Sequence, residues 1–336
     1  MALAAELSCV LDPLLSTVAR DHARDLSGKG AKARSSDLDR LRFMVHKRGG
    51  LDYWLLPFFS PANDSGMAEL SARLSRADLD RFGYCGLGLS NGPSPMTVLL
   101  LSDRVIELQP IPIEARPWQR FEVRGRVRPG ARLSRAYLGL PGGSVRVVTP
   151  SVSQNGEFRF ELVLSQPGRY ELELSVDLGR GEETALLVPI FSGIAPDQRP
   201  TVVPDEDPNA PESPETLLGY INATRTRAGL SSLCLSQRLG TIAQRHSDEM
   251  VRERFFGHVS PNSGDLRSRL LAGGLSPAKY AENVARSRTL IRLHQNLKAS
   301  PSHRMHLLDP EYTHVGIGIS RSGEDLVVTE IFVASL

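Results

Sequence analysis

Phe255-Phe256-Gly257-His258-Val259-Ser260-Pro261, Ala281-Glu282-Asn283 and Ser300-Pro301-Ser302-His303-Arg304 decide how the last third of this chain is read. Each segment places chemistry-bearing residues beside a signal for the end of a regular element. From Ser236 to Arg254, the residues Leu239, Ile242, Ala243, His246, Met250 and Phe255 recur at helical spacing. Gly257 is expected to stop that helix, with Pro261 soon after. His258 then lies just past a helix end, on backbone fixed by Gly and Pro. Ser300 suits the N-cap of a short helix with Pro301 at its first position, ending near Asp309-Pro310. His303 falls in the first turn, where the positive end of the helix dipole disfavours imidazolium. A neutral imidazole is the form a metal ion needs. Glu282 lies within Tyr280-Ala281-Glu282-Asn283-Val284-Ala285, where Asn283 can fix the backbone. Two histidines and a carboxylate placed in this way can build a small polar cleft that holds a metal, with Ser260, Asn283 and Ser302 in support.

Working outward, Glu215–Ala228 carries Leu217, Leu218, Ile221 and Ala223 at helical spacing and opens a domain expected over residues 215–336. Residues 195–214 are proline-rich, acidic and aperiodic, which reads as an extended, semi-rigid linker. Residues 111–194 alternate in short runs such as Phe121–Val127, Glu157–Leu164 and Tyr170–Val176, separated by Pro129-Gly130, Asn155-Gly156 and Pro167-Gly168. That pattern predicts an antiparallel β-sandwich of immunoglobulin-like type, a spacer or interaction module with no catalytic constellation.

Residues 1–110 align with the last domain. At a shift of 224 positions Ser8, Leu11, Leu15, Thr17, Ala19 and His22 meet Ser232, Leu235, Leu239, Thr241, Ala243 and His246. After a small length change Cys85-Gly86-Leu87-Gly88-Leu89-Ser90 meets Val315-Gly316-Ile317-Gly318-Ile319-Ser320. The common order argues for an internal duplication. In the N-terminal copy Arg34 stands opposite His258, Phe58 stands opposite Glu282, and the stretch opposite His303 has no histidine. Such a copy reads as a structural or pairing module, with domain pairing inside the chain. The helix that opens the second copy has no counterpart in the first, so a segment upstream of Met1 is expected.

The chain has 336 residues and a formal net charge of +2, which gives no electrostatic footprint for nucleic acid. No apolar run approaches the ~18 residues of a membrane-spanning helix, and Met1–Glu6 has neither the basic nor the apolar region of a signal peptide. The three cysteines, Cys9, Cys85 and Cys234, form no CxxC pair. They read as buried free thiols, or as a Cys9–Cys85 bridge if the protein is exported. His246 reads as a satisfied, semi-buried helix residue, His294 as a surface helix residue, His306 and His314 as surface or packing residues, and His46 as isolated and exposed.

Leu218…Ile221-Asn222…Arg225…Gly229-Leu230, Ala243…His246…Met250, Phe256-Gly257-His258-Val259-Ser260-Pro261, Ala281-Glu282-Asn283-Val284-Ala285, Ser300-Pro301-Ser302-His303-Arg304 and Val315-Gly316-Ile317-Gly318, in this order, resemble the CAP superfamily of cysteine-rich secretory, antigen 5 and pathogenesis-related proteins. The match is with its bacterial, extracellular SCP-like branch, over about residues 213–336. The resemblance implies an α-β-α sandwich with an open cleft, His258 and His303 as Zn²⁺ ligands, and Glu282 as an acidic cleft member. It also implies export to the cell envelope or the exterior. Animal and plant members carry a second acidic residue before the second histidine, whereas Arg286–Ala299 has no carboxylate. Bacterial members often have a tryptophan near Leu297, which is absent here.

The fold class expected is therefore α+β and multi-domain, with two α-β-α CAP-like domains flanking the β-sandwich. Three functions fit. The first is a non-enzymatic binding module for a metal, lipid, peptide or envelope ligand. The second is a zinc-dependent hydrolase with Glu282 as general base. The third is a structural scaffold or adhesin.

Overall fold

The computed structural model describes residues 8–29, 38–75, 79–92, 94–179, 181–196 and 210–335. Most of the linker and Arg34 lie outside the described residues.

The N-terminal region runs β1 (Val10–Leu11), α1 (Pro13–Lys29), α2 (Leu38–His46), β2 (Trp54–Pro61), α3 (Asp64–Leu74), β3 (Tyr84–Leu89) and β4 (Met96–Asp103). Its sheet has the order β1-β3-β4-β2, with β1 parallel to β3 and the other pairs antiparallel. Helix α1 starts because Asp12 Oδ1 accepts the Leu15 N–H at 2.9 Å. It buries Leu15, Val18, Ala19 and Ala23 against Val98 and Leu100 of the central strand. Gly86 and Gly88 let β3 press on that helix. A Cβ on either would overlap backbone atoms, of Leu15 for Gly86 and of Ala19 for Gly88. The opposite face of the sheet buries Phe58, Leu70, Leu74, Leu99 and Leu101. Cys9 and Cys85 are joined in a disulfide that ties the segment before β1 to β3. The free-thiol reading therefore gives way to the bridge. Cys234 is the free, exposed cysteine.

Strands β5 (Ile106–Leu108), β6 (Glu114–Ala115), β7 (Arg120–Val127), β8 (Arg132–Gly139), β9 (Val145–Val148), β10 (Ser151–Val152), β11 (Glu157–Val163), β12 (Gly168–Asp177) and β13 (Glu182–Ser192) occupy the middle of the chain. β10, β11, β7 and β5 form one sheet in that order. β8 pairs antiparallel with both β9 and β12, and β13 pairs in parallel with β6. The alternation read in the sequence is visible in β11, where Phe158, Phe160 and Leu162 are buried and Glu157, Arg159 and Glu161 exposed.

The C-terminal region contains α4 (Pro214–Arg227), β14 (Cys234–Leu235), α5 (Gln237–Arg252), α6 (Leu266–Ala272), β15 (Tyr280–Ser287), α7 (Leu290–Ala299), α8 (Pro301–Leu307), β16 (His314–Ser322) and β17 (Asp325–Val333). Its sheet order is β14-β16-β17-β15, with β14 parallel to β16. One face buries Leu217, Ile221, Leu293, Leu297 and Leu307 with Val315 and Phe332. The other buries Leu239, Ile242, Ala243 and Leu270 with Ile331 and Val333. Each of these Leu, Ile, Val and Phe side chains contributes about 1.5–3 kcal/mol on leaving water, so helices are held on both faces.

Helix α5 departs from its expected end. It closes at Arg252, and Arg254, at φ 53°, makes the left-handed turn. Gly257 is not the stop. The Phe255 N–H bonds to the Met250 carbonyl (3.1 Å) and turns the chain back under the helix, with Phe255 buried.

The chain divides into two compact units. One comprises Met1–Pro129, Ser151–Ser165 and Ala185–Thr201, and the other Gly130–Pro150, Gln166–Thr184 and Val202–Leu336. The second unit thus contains β8, β9 and β12 as well as the whole C-terminal region.

Candidate functional site

The candidate residues gather around β15, which is an edge strand of its sheet. Side chains alternate across a strand, so neighbouring residues serve opposite faces. Glu282 pairs with Ile331 on the α5 side, and Asn283 pairs with Glu330 on the α8 side.

On the first face, His258 Nδ1 lies 2.9 Å from Glu282 Oε1. Arg269 of α6 donates to Glu282 Oε2 and also to the carbonyls of His258 (2.9 Å) and Gly264 (2.8 Å). Burial pushes the Glu282 carboxyl up, but the His258 hydrogen bond and the Arg269 charge outweigh it and hold it below the usual range. An ionised carboxylate only accepts, so Nδ1 of His258 carries a proton and Nε2 is its free nitrogen. Ser260 does not point at this pair. Its hydroxyl accepts the N–H groups of Asn262 (3.0 Å) and Ser263 (2.9 Å) and fixes the loop that carries His258. A Cβ on Gly181, which lies just before β13, would stand 2.8 Å from the His258 Cβ. Within this unit, therefore, the segment before β13 lies against the histidine.

On the other face, His303 Nδ1 lies 2.6 Å from Ser300 Oγ. Ser300 stands at the N-cap of α8 but makes no side-chain cap hydrogen bond. Its hydroxyl donates instead to Glu173 Oε2 of β12, at 2.9 Å. Burial, then the field of His258, pushes His303 down to about 3, so its ring is neutral near pH 7. Asn283 donates to Glu330 Oε2 (3.0 Å) and accepts from His306 Nδ1 (2.9 Å). Burial drives the Glu330 carboxyl up to about 7, with Asn283 opposing, and its Oε1 has no partner. Burial, then His303 and His258, pushes His306 down to about 3.

Other histidines differ from their expected settings. His294 is not a surface residue. It is 2% exposed, its Nε2 lies 2.8 Å from Thr224 Oγ1, and burial with the charges of Lys298 and Arg227 pushes it down to about 3. Helix α7 packs this face inward, and Leu290, Leu293 and Leu297 share it. His46 is likewise buried, at 7% exposure, and burial pushes it down to about 4. His246 is fully buried and its Nε2 meets the Gly257 carbonyl at 3.0 Å.

Two residues, Arg269 and Glu173, escaped the sequence reading, and Arg225 entered it only as one position of the resemblance. Arg269 has no local mark beyond the Asp265 cap one turn earlier. Arg225 is fully buried, with the field of Asp309 opposing the effect of burial. It donates to the carbonyls of Ser231, Leu307, Asp309 and Tyr312 and so ties α4 to the end of α8. Glu173 is a buried residue in a strand remote in sequence, and no spacing rule connects it to Ser300.

Among the described residues no group of three or more His, Cys, Asp or Glu side chains is placed to hold a metal, and no helix is long and apolar enough to cross a membrane. Two imidazoles fall one short of the usual three protein ligands of a catalytic zinc ion. The field of His258 adds to the lowering of His303, so the two rings lie within electrostatic reach of each other.

Residues 218–335 match the model of the Cysteine-rich secretory protein family, CAP. Two Bacillus subtilis proteins are similar over part of the chain. The uncharacterized membrane protein YlbC is 32% identical over 110 residues, which is 32% of each chain. The uncharacterized protein YkwD is 31% identical over 103 residues, 30% of this chain and 40% of its own. The chain thus spans well under half the length of either. A Bacillus anthracis extracellular protein containing an SCP domain has 21% identity and a TM-score of 0.32, covering 51% of this chain and 65% of its own. A Staphylococcus aureus cysteine-rich secretory protein has 16% identity and a TM-score of 0.31, covering 82% and 97%.

Proposed function

Residues 218–335 form a CAP domain, and we propose that it serves as a binding module whose cleft holds a divalent metal through Nε2 of His258 and of His303. One observation carries this reading. Glu282 anchors His258 at Nδ1 and is itself held by Arg269, the outer-shell arrangement that orients a metal-ligating imidazole. His303, neutral near pH 7, keeps a nitrogen lone pair for an ion. A bound Zn²⁺ would supply a Lewis-acidic centre for an oxygen of the captured molecule, taken to be a lipid, a peptide or an envelope polymer.

Binding is favoured over hydrolysis by the state of Glu282. Its side chain is 3% exposed and both its oxygens are engaged. A general base has to reach a water or substrate proton, so here Glu282 orients rather than abstracts. The Cys9–Cys85 disulfide favours an oxidising compartment, in keeping with a secreted or envelope-attached protein. Residues 1–110 are read as a second copy that has kept its scaffold and lost its cleft, with a structural role. The like strand order of the two sheets supports this.

Cobalt substitution tests the site. Co²⁺ added to the intact chain is expected to give visible ligand-field bands that titrate to one equivalent and vanish in His258→Ala and in His303→Ala. Bands that persist in both variants would place the ion elsewhere.

A further inference from the structure

We infer that Glu173, a residue of the middle strands, is a positioning residue for His303: through Ser300 it fixes which ring nitrogen carries the proton. The inference rests on the reading of the cleft as a metal site, and its geometry lies entirely within the second compact unit.

Glu173 has no exposed surface. Its carboxylate receives Ser300 Oγ (2.9 Å), Ser302 Oγ (2.6 Å), the Ser302 N–H (3.0 Å) and Thr184 Oγ1 (2.7 Å). A carboxylate offers about four acceptor positions, and four donors fill them. Each serine hydroxyl has one proton; with both directed at the charged Glu173, the contact between the two hydroxyls (3.1 Å) is left without one. Toward His303 Nδ1, Ser300 Oγ at 2.6 Å and Ser302 Oγ at 3.4 Å can therefore only accept. Nδ1 must carry the hydrogen. In a neutral imidazole Nε2 then has the lone pair, which is the nitrogen a metal in the cleft would use. The same end result is reached at His258 by direct contact with Glu282. Here a hydroxyl intervenes between the ring and a carboxylate of β12.

The strand is held to α8 independently of this chain of hydrogen bonds. Arg304 donates to Glu171 Oε2 (3.2 Å), to the Gly143 carbonyl (3.2 Å) and to the Lys298 carbonyl (2.9 Å). Gly139 leaves no space for a Cβ beside Arg304. Docking and tautomer control can thus be separated. Glu171 belongs to the first, and Glu173 belongs to both.

The test is ¹⁵N NMR of the histidine rings in the intact, metal-free protein near pH 7, followed by zinc titration. Wild type is expected to show His303 with Nδ1 protonated and Nε2 bare. Glu173→Gln puts an amide donor where an acceptor stood, so one serine can turn its proton to His303. Ser300→Ala removes the acceptor facing Nδ1. Both are expected to move His303 toward the Nε2-protonated form and to weaken zinc about 10- to 100-fold. Glu171→Gln, which touches the same helix, is expected to leave the tautomer as in wild type. A His303 ring that keeps Nδ1 protonated in both Glu173→Gln and Ser300→Ala would overturn the inference. If Glu173→Gln does not fold, Ser300→Ala decides, because Ser302 and Thr184 still satisfy Glu173. Absence of zinc binding in wild type would defeat the metal reading alone, since the ring spectra are recorded without metal.

Discussion

The sheet of the N-terminal region and the sheet of the C-terminal region share a strand order, a short parallel edge strand and a pair of glycines lying on a helix. They differ at the opposite edge. Gly86 and Gly316 occupy like positions, on the backbones of Leu15 and Leu239. Across from them stand Leu100 and Ile331, and across from those Pro57 and Glu282. The register thus places Pro57, not Phe58, at the position of Glu282, one residue from the uniform-offset expectation. Phe58 and Leu99 then stand where Asn283 and Glu330 do. All four of those residues are buried. The difference teaches which residues the fold needs. The helix-facing glycines and apolar residues occur in both sheets, so they specify the architecture. The ionisable groups occur in one, so the architecture does not require them. A buried charge persists against its desolvation penalty only with full partners. Glu282 has such partners and Glu330 lacks one.

The largest effect should come from breaking the C-terminal polar edge. Arg269→Ala leaves Glu282 buried without its cation and is expected to cost about 3–5 kcal/mol, measured as a shift in denaturant midpoint at constant slope. Arg269→Met with Glu282→Leu, which makes this edge apolar like its counterpart, should recover most of that loss. A single Arg269→Ala within experimental error of wild type would mean that the pair carries no weight.

The N-terminal sheet has its own fastening. Cys9 and Cys85 are bonded where the uniform shift and the strand register place Leu233 and Val315, two buried apolar residues of the other sheet. Cys9→Ala/Cys85→Ala should cost roughly 2–4 kcal/mol and leave zinc affinity unchanged. Loss of zinc binding in that variant would contradict the assignment of the cleft to the C-terminal region.

Glu330 has no ionisable counterpart, which makes its pH signature specific. Its folded value of about 7 exceeds the ordinary 4.5. Its contribution is therefore fully present below pH about 4.5, and is lost as pH rises to about 7. His294, His303 and His306, pushed down to about 3, act oppositely. Their contribution is present above about 6.5 and lost as pH falls toward 3. The difference between wild type and Glu330→Gln isolates the first term. It should change by about 3 kcal/mol between pH 4.5 and 7, with the variant gaining. A difference independent of pH would show that Glu330 ionises normally.

The smallest effect concerns two helix caps at like positions. Asp12 caps α1 and Ser236 caps α5. Alanine at either should cost about 1 kcal/mol. Asp12→Ala should cost slightly more, because Asp12 also accepts from Arg104 at 2.8 Å. Equal losses would mean that the Arg104 contact adds nothing.

Much of this comparison was legible in the sequence, because helical spacing, caps and the Gly-x-Gly pairs are local signals. The helices over Pro214–Arg227 and after Ser236 lie where the helical spacing of their apolar residues predicts. His258, Glu282 and His303 could be named because helix-end signals and a recognisable order surround them. What stayed hidden depends on tertiary contact. Arg269 matters through a carboxylate on a strand, and Glu173 through hydroxyls far along the chain. His294 and His46 were misplaced because a lone polar residue on an apolar helix face looks solvent-facing until its partner is known. Arg254 was missed because a left-handed turn is expected of glycine, and Gly257 stood nearby as a better candidate.

The most direct test of the central claim is zinc calorimetry on the intact chain, wild type against His258→Ala/His303→Ala. The account predicts one saturable site in wild type and none in the double variant. No heat of binding in wild type, or an unchanged isotherm in the double variant, would contradict it.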